Sequence, residues 1–127
     1  AKKNAERNGV EVNFKKMDIL SDFNEQKCQY DIVISNPPYI CESEKKDMRA
    51  NVLEYEPGTA LFVPDKDPLL FYRRIADLRW GKYLFFEINE RFAQQIQKIL
   101  IKKLYKDLQL TNDMYGKPTI IQARLSE

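Results

Sequence analysis

Apolar and polar positions along this chain change period several times, and each change marks an element. Tyr30–Ser35 and Lys82–Ile88 are short, nearly continuous apolar runs between polar flanks, the pattern of strands buried on both faces of a parallel sheet. Elsewhere the period is helical. Phe71, Ile75 and Leu78 share one face of a segment opened by Asp67-Pro68, which predicts Asp67 as N-cap and Pro68 as the first helical residue. Phe92, Ile96, Ile99, Leu100 and Leu104 make the clearest stripe, predicting an amphipathic helix from Asn89 to about Leu104. Ala1–Asn8 is rich in helix formers, with Gly9 as its C′ residue. Val10–Met17 reads as a strand ending at Asp18, with Val12 and Phe14 on one face.

Two further segments complete the pattern. Ser43–Tyr55 carries Met48, Val52 and Tyr55 near helical spacing and is stopped by Glu56-Pro57-Gly58, before the short apolar run Ala60–Val63. Asp107–Thr111 and Thr119–Arg124 are strand candidates joined through Met114-Tyr115-Gly116-Lys117-Pro118, a connection so short that the pair must be antiparallel. The order is helix, strand, strand, helix, strand, helix, strand, strand. It predicts one α/β domain over residues 1–127, three-layered, with a mainly parallel sheet and an antiparallel hairpin at its C-terminal edge.

Composition narrows the chemistry. With 127 residues, 43% hydrophobic and 31% charged, the chain has enough material for one core. A net charge of +2 demands no nucleic acid, and no apolar run reaches membrane-spanning length. No signal peptide opens the chain, and Cys28 and Cys41 have neither disulfide-framework nor metal-ligand spacing, so a cytoplasmic, reducing setting is expected. Histidine is absent, which removes the usual general base and points to chemistry that works by positioning.

The strand Tyr30–Ser35 runs directly into Asn36-Pro37-Pro38-Tyr39. A loop at the carboxyl end of a strand is where ligands bind in open α/β sheets. Its prolines fix φ and lack N–H, so the loop offers carbonyl acceptors without competing donors. Asn36 adds a side-chain carbonyl and Tyr39 a flat surface. The set suits a planar group bearing –NH2; the plainer reading is a turn that ends a strand.

These residues resemble the signature of S-adenosylmethionine-dependent methyltransferases that modify amino groups on sp2 carbon. The chain as a whole is similar to the HemK-type family, the protein-(glutamine-N5) methyltransferases of peptide chain release factors. Ile34-Ser35-Asn36-Pro37-Pro38-Tyr39-Ile40 carries the likeness first. Tyr55-Glu56-Pro57 with Ala60-Leu61-Phe62, then Phe71–Ala76, Phe85-Phe86-Glu87-Ile88-Asn89 and Asp113–Pro118 follow in the family's order. The resemblance implies a Rossmann-like methyltransferase sheet. Asn36 would be the catalytic residue, accepting with the Pro37 carbonyl from the glutamine –NH2, while Pro38 and Tyr39 shape the pocket wall. Asp18 would meet the adenine amino group of the cofactor and Ile19 its ring, and Asn36 would also contact the cofactor on its methyl side. For Asp18 the alternative is a plain turn starter. Glu56 reads as a helix-end residue and Glu87 as a polar residue at a strand end, rather than as a catalytic acid pair.

The family's glycine-rich cofactor loop, its ribose-binding acid and its substrate-recruiting helical domain have no counterpart among these residues, and the stretch from Ala76 to Gly81 is shorter than the family's. The chain therefore looks like the second half of a catalytic domain, lacking the first strands of the full fold. It is expected to bind S-adenosylmethionine weakly or not at all by itself. Its open edges are expected to pair the strands ending at Asp18 and Ser35, or to be closed by another chain through self-association. The expected partner is a release factor, with no nucleic acid, membrane or metal. Two other readings stand beside this one: an adenine-N6 methyltransferase acting on a flipped base, and a non-catalytic remnant of the fold that binds a partner.

Overall fold

A computed structural model describes residues 1–21, 30–47 and 62–126. The elements are α1 (Lys2–Arg7), β1 (Tyr30–Ser35), β2 (Ile40–Cys41), a 3-10 helix (Glu42–Asp47), β3 (Phe62–Val63), α2 (Leu70–Leu78), β4 (Gly81–Glu87), a second 3-10 turn (Glu90–Phe92), α3 (Ala93–Lys102), β5 (Tyr105–Asn112) and β6 (Pro118–Leu125). Four strands make a mixed sheet in the order β1-β4-β6-β5; β1 is parallel to β4, and β6 is antiparallel to both neighbours. β2 and β3 form a separate short parallel pair. The α/β class and the closing antiparallel hairpin expected from the sequence are both present.

The register explains the core. Leu84 lies opposite Ala123 and Phe86 opposite Ile121, so all four side chains share one face of β4 and β6. α2 covers that face with Tyr72, Ile75 and Ala76, and α3 with Ala93, Ile96 and Leu100. Burying each large apolar side chain contributes about 1.5–3 kcal/mol. Tyr72 meets Phe86 edge-on at 5.0 Å between ring centroids, and its hydroxyl donates to the Glu87 carbonyl at 2.8 Å. The buried phenol is thus satisfied. Gly81 lets β4 approach β1 closely, since a Cβ there would lie 2.6 Å from Val33 Cγ2 and 3.0 Å from the Val33 nitrogen.

Five expectations need correction. β1 and β4 are not buried on both faces: Ile32 and Ile34 are 53% and 80% exposed, with Tyr30 and Tyr83 also exposed on the same side. Both packing helices described lie on the other side, so that face has no covering layer among the described residues. Val10–Met17 is not a strand and does not pair with β1; Val10, Val12, Phe14 and Met17 are all exposed. An apolar alternation becomes a strand only beside a ladder that takes its N–H and C=O groups, and no described strand lies next to it.

Asp67 does not cap α2. Its carboxylate is paired with Arg73, and the helix begins at Leu70 after a turn in which the Leu70 N–H reaches the Asp67 carbonyl at 3.3 Å. The stripe of α3 loses Leu104, which has φ +68° and lies exposed. The left-handed turn that swings it outward lets its carbonyl accept from the Ser126 N–H at 2.8 Å and launches β5. Finally, the described part of the Ser43–Tyr55 helix is a 3-10 helix over Glu42–Asp47. Met48, Val52, Tyr55 and the Glu56-Pro57-Gly58 stop lie outside the described residues.

Candidate functional site

β1 delivers its last residue, Ser35, to the carboxyl end of the parallel β1–β4 pair. There the chain leaves the sheet with Asn36 exposed, Pro37 buried, and Pro38 and Tyr39 half-buried. The far end of this loop is anchored twice. Tyr39 donates its hydroxyl to Glu87 Oε1 at 2.8 Å, at the end of β4. Beyond it, Ile40 and Cys41 pair with Phe62 and Val63, and Arg91 pairs with Glu44 at 3.1 Å. Burial, and then the hydrogen bond to Glu87 and its negative charge, push the Tyr39 pKa up to about 12, so the phenol keeps its proton at neutral pH.

The opposite wall is the turn after Met17. Asp18 Oδ1 accepts the Leu20 N–H at 2.9 Å, and the Asp18 carbonyl accepts from the Ser21 hydroxyl at 2.7 Å. Asp18 therefore does start a turn, while a carboxyl group has further lone pairs for another donor. Arg74 of α2 holds this turn in place: its Nε donates to the Ile19 carbonyl at 2.8 Å and an Nη to the Ser21 carbonyl at 2.7 Å. The Ile19 side chain packs on the edge of the core.

Between the two walls lies a cavity of about 710 Å³, lined by Met17–Leu20, by Ser35–Pro38, and by Phe71 and Ile75 of α2. Its size is that of a site for an organic molecule of several rings. Asp18, Ile19, Asn36, Pro37 and Pro38, all singled out from the sequence, line it together. Tyr39 is not among the lining residues and turns its hydroxyl to Glu87 instead. Phe71 and Ile75 were readable only as core residues, because a helical period shows that two side chains share a face and not what that face meets. The contact of Tyr39 with Glu87, 48 positions apart, left no local signal.

The α/β sheet thus carries Asn-Pro-Pro-Tyr at the carboxyl end of β1, and this loop shares a cavity with an acid-bearing turn. The model of the Eco57I restriction-modification methylase family matches residues 1–115, and the chain belongs to that family. A release factor glutamine methyltransferase of Bacteroides thetaiotaomicron is 45% identical over 128 residues, covering 97% of this chain and 46% of that protein. One from Flavobacterium psychrophilum is 42% identical over 96% of the chain and 44% of its own length. One from Streptococcus pneumoniae is 32% identical over 95% of the chain and 44% of its own length. The resemblance drawn from the Asn36–Tyr39 run and the landmarks after it is borne out. The chain spans a little under half the length of these curated relatives. Among the described residues, no helix is long and apolar enough to cross a membrane.

Proposed function

We propose that the protein carrying this chain transfers a methyl group from S-adenosylmethionine to the side-chain amide nitrogen of a glutamine in a peptide chain release factor. The observation that carries this reading is the single cavity shared by the Asn36-Pro37-Pro38 loop and the Asp18-Ile19 turn. The residues present fit the cofactor's adenosine end. Ile19, Phe71 and Ile75 offer an apolar wall to a planar ring, and Asp18 offers a carboxylate to an exocyclic amine. When bound, S-adenosylmethionine supplies an electrophilic methyl group on a sulfonium.

The chain's own contribution is positioning. An amide nitrogen is a poor nucleophile because its lone pair is delocalised into the carbonyl. The Asn36 side-chain oxygen and the Pro37 main-chain carbonyl accept its two N–H bonds and hold it so that the lone pair faces the methyl side of the cavity. Orienting two reactants in this way can supply several kcal/mol of the barrier. The remainder comes from fixed dipoles around the reacting atoms. Tyr39, bonded to Glu87, braces the outer end of this loop rather than lining the cavity.

In the complete protein, Asn36→Ala should lower methyl transfer by about a hundred- to a thousandfold, as loss of a fixed polar group at a reacting centre does. Thermal unfolding should be unchanged, since Asn36 is exposed. Asn36→Asp should fail as well, because it places a negative charge beside the acceptor. Near-normal turnover of Asn36→Ala on release factor would overturn the assignment. The restriction-modification family model favours a second reading, methylation of adenine N6 in nucleic acid. Radiolabelled methyl appearing in DNA or RNA, and not in release factor, would decide for it.

A further inference from the structure

Glu87 closes β4 and receives two phenols at once. Its carbonyl accepts from Tyr72 of α2 at 2.8 Å, and its Oε1 accepts from Tyr39 at 2.8 Å. Tyr72 is fully buried and stacked edge-on against Phe86, so one side of this junction is rooted in the core. The other side ends one residue past Pro38. Two consecutive prolines have fixed φ angles, so little freedom separates an anchored Tyr39 from Asn36. A carboxylate is also the strongest acceptor that a phenol can find in a half-buried position.

From this geometry we infer that Glu87 is a positioning residue for the acceptor pocket: through Tyr39 it sets where the Asn36-Pro37-Pro38 loop stands relative to the cavity. Glu87 does not touch the reacting atoms. It acts by limiting the range of loop positions, and a displacement of the loop by about 1 Å is enough to cost up to about a hundredfold in rate. The inference rests on the methyl-transfer reading for its kinetic consequence and on the structure alone for its loop.

The test uses the complete protein with release factor as substrate, together with the amide NMR spectrum. Glu87→Ala should lower kcat by about ten- to a hundredfold while moving KM much less. Glu87→Gln keeps an oxygen that accepts from Tyr39 and should stay within about threefold of the unmodified protein. Tyr39→Phe should match Glu87→Ala, and the double variant should be no slower than either single one, because both remove the same contact. In the spectrum, Ser35 and Asn36 amides should shift in Glu87→Ala and Tyr39→Phe but not in Glu87→Gln, with α3 amides unmoved in all three. Multiplying losses in the double variant, equal damage from Gln and Ala, or unmoved Ser35 and Asn36 amides would overturn the inference. If the unmodified protein methylates no glutamine, the functional reading fails while the spectrum still decides the role of Glu87.

Discussion

Two isoleucines on strands of the same sheet have opposite fates. Ile121 on β6 is fully buried beneath α2 and α3, while Ile34 on β1 is 80% exposed on the face that no described helix covers. The same contrast divides the molecule. From α2 onward each α-helix and strand adds buried side chains to one core, whereas residues 10–20 and the outer face of β1 add few. Yet most of the cavity's lining comes from residues 17–20 and the loop at 35–38. Its walls are held by named tethers rather than by burial: Arg74 to the turn at Ile19 and Ser21, and Glu87 to Tyr39. Stability and site are thus largely separated in space, meeting at Ile75 of α2. Substitutions on the two sides of that division should differ in kind as well as in size.

The sharpest way to break this comparison is at the buried end. Ile121→Ala should destabilise the chain by about 2–5 kcal/mol through lost burial and a residual cavity, read as a fall in the denaturation midpoint. A cost below about 1 kcal/mol would mean that the core is loosely packed there and the division is false. Arg74→Ala comes next, at about 1 kcal/mol for the lost hydrogen bonds. Its effect should be local: hydrogen exchange at Leu20 and Ser21 should speed up while that of β6 stays unchanged. Equal acceleration in both would show that the turn is part of the core's cooperative unit. Ile34→Thr should be the mildest, within about 0.5 kcal/mol. A large loss at this exposed position would show that the outer face of β1 is covered in solution.

Much of this was legible in the residues themselves. The helical period of 92–100, the apolar run of β4 and the Gly116-Lys117-Pro118 turn each announce an element through local preference. At that turn Gly116 takes φ +79°, and Asp113 Oδ1 accepts the Tyr115 and Lys117 N–H groups at 2.8 and 3.0 Å. The Asn36-Pro37-Pro38-Tyr39 loop was equally legible, because the chemistry proposed for it lies in four adjacent residues. Val10–Met17 misled for the opposite reason. Its alternation is that of a strand, but a strand also needs a neighbour, and alternation within a segment says nothing about what stands beside it. Asp67 misled because two partners compete for one carboxylate, and the Arg73 guanidinium holds it rather than the helix N–H groups.

The chain's local order thus carried its class, its main elements and the loop on which the proposed chemistry rests, because backbone preference and side-chain period act between near neighbours. Tertiary packing decided the rest. Contacts across 48 and 55 residues bind Tyr39 to Glu87 and Arg74 to the Ile19 turn. The packing of α2 and α3 fixes which apolar face the described helices cover, α2 brings Phe71 and Ile75 to the cavity, and the Tyr39 contact turns a strand-end glutamate into the anchor of the loop. Such pairings depend on the free energy of the whole fold, which no window of neighbouring residues contains.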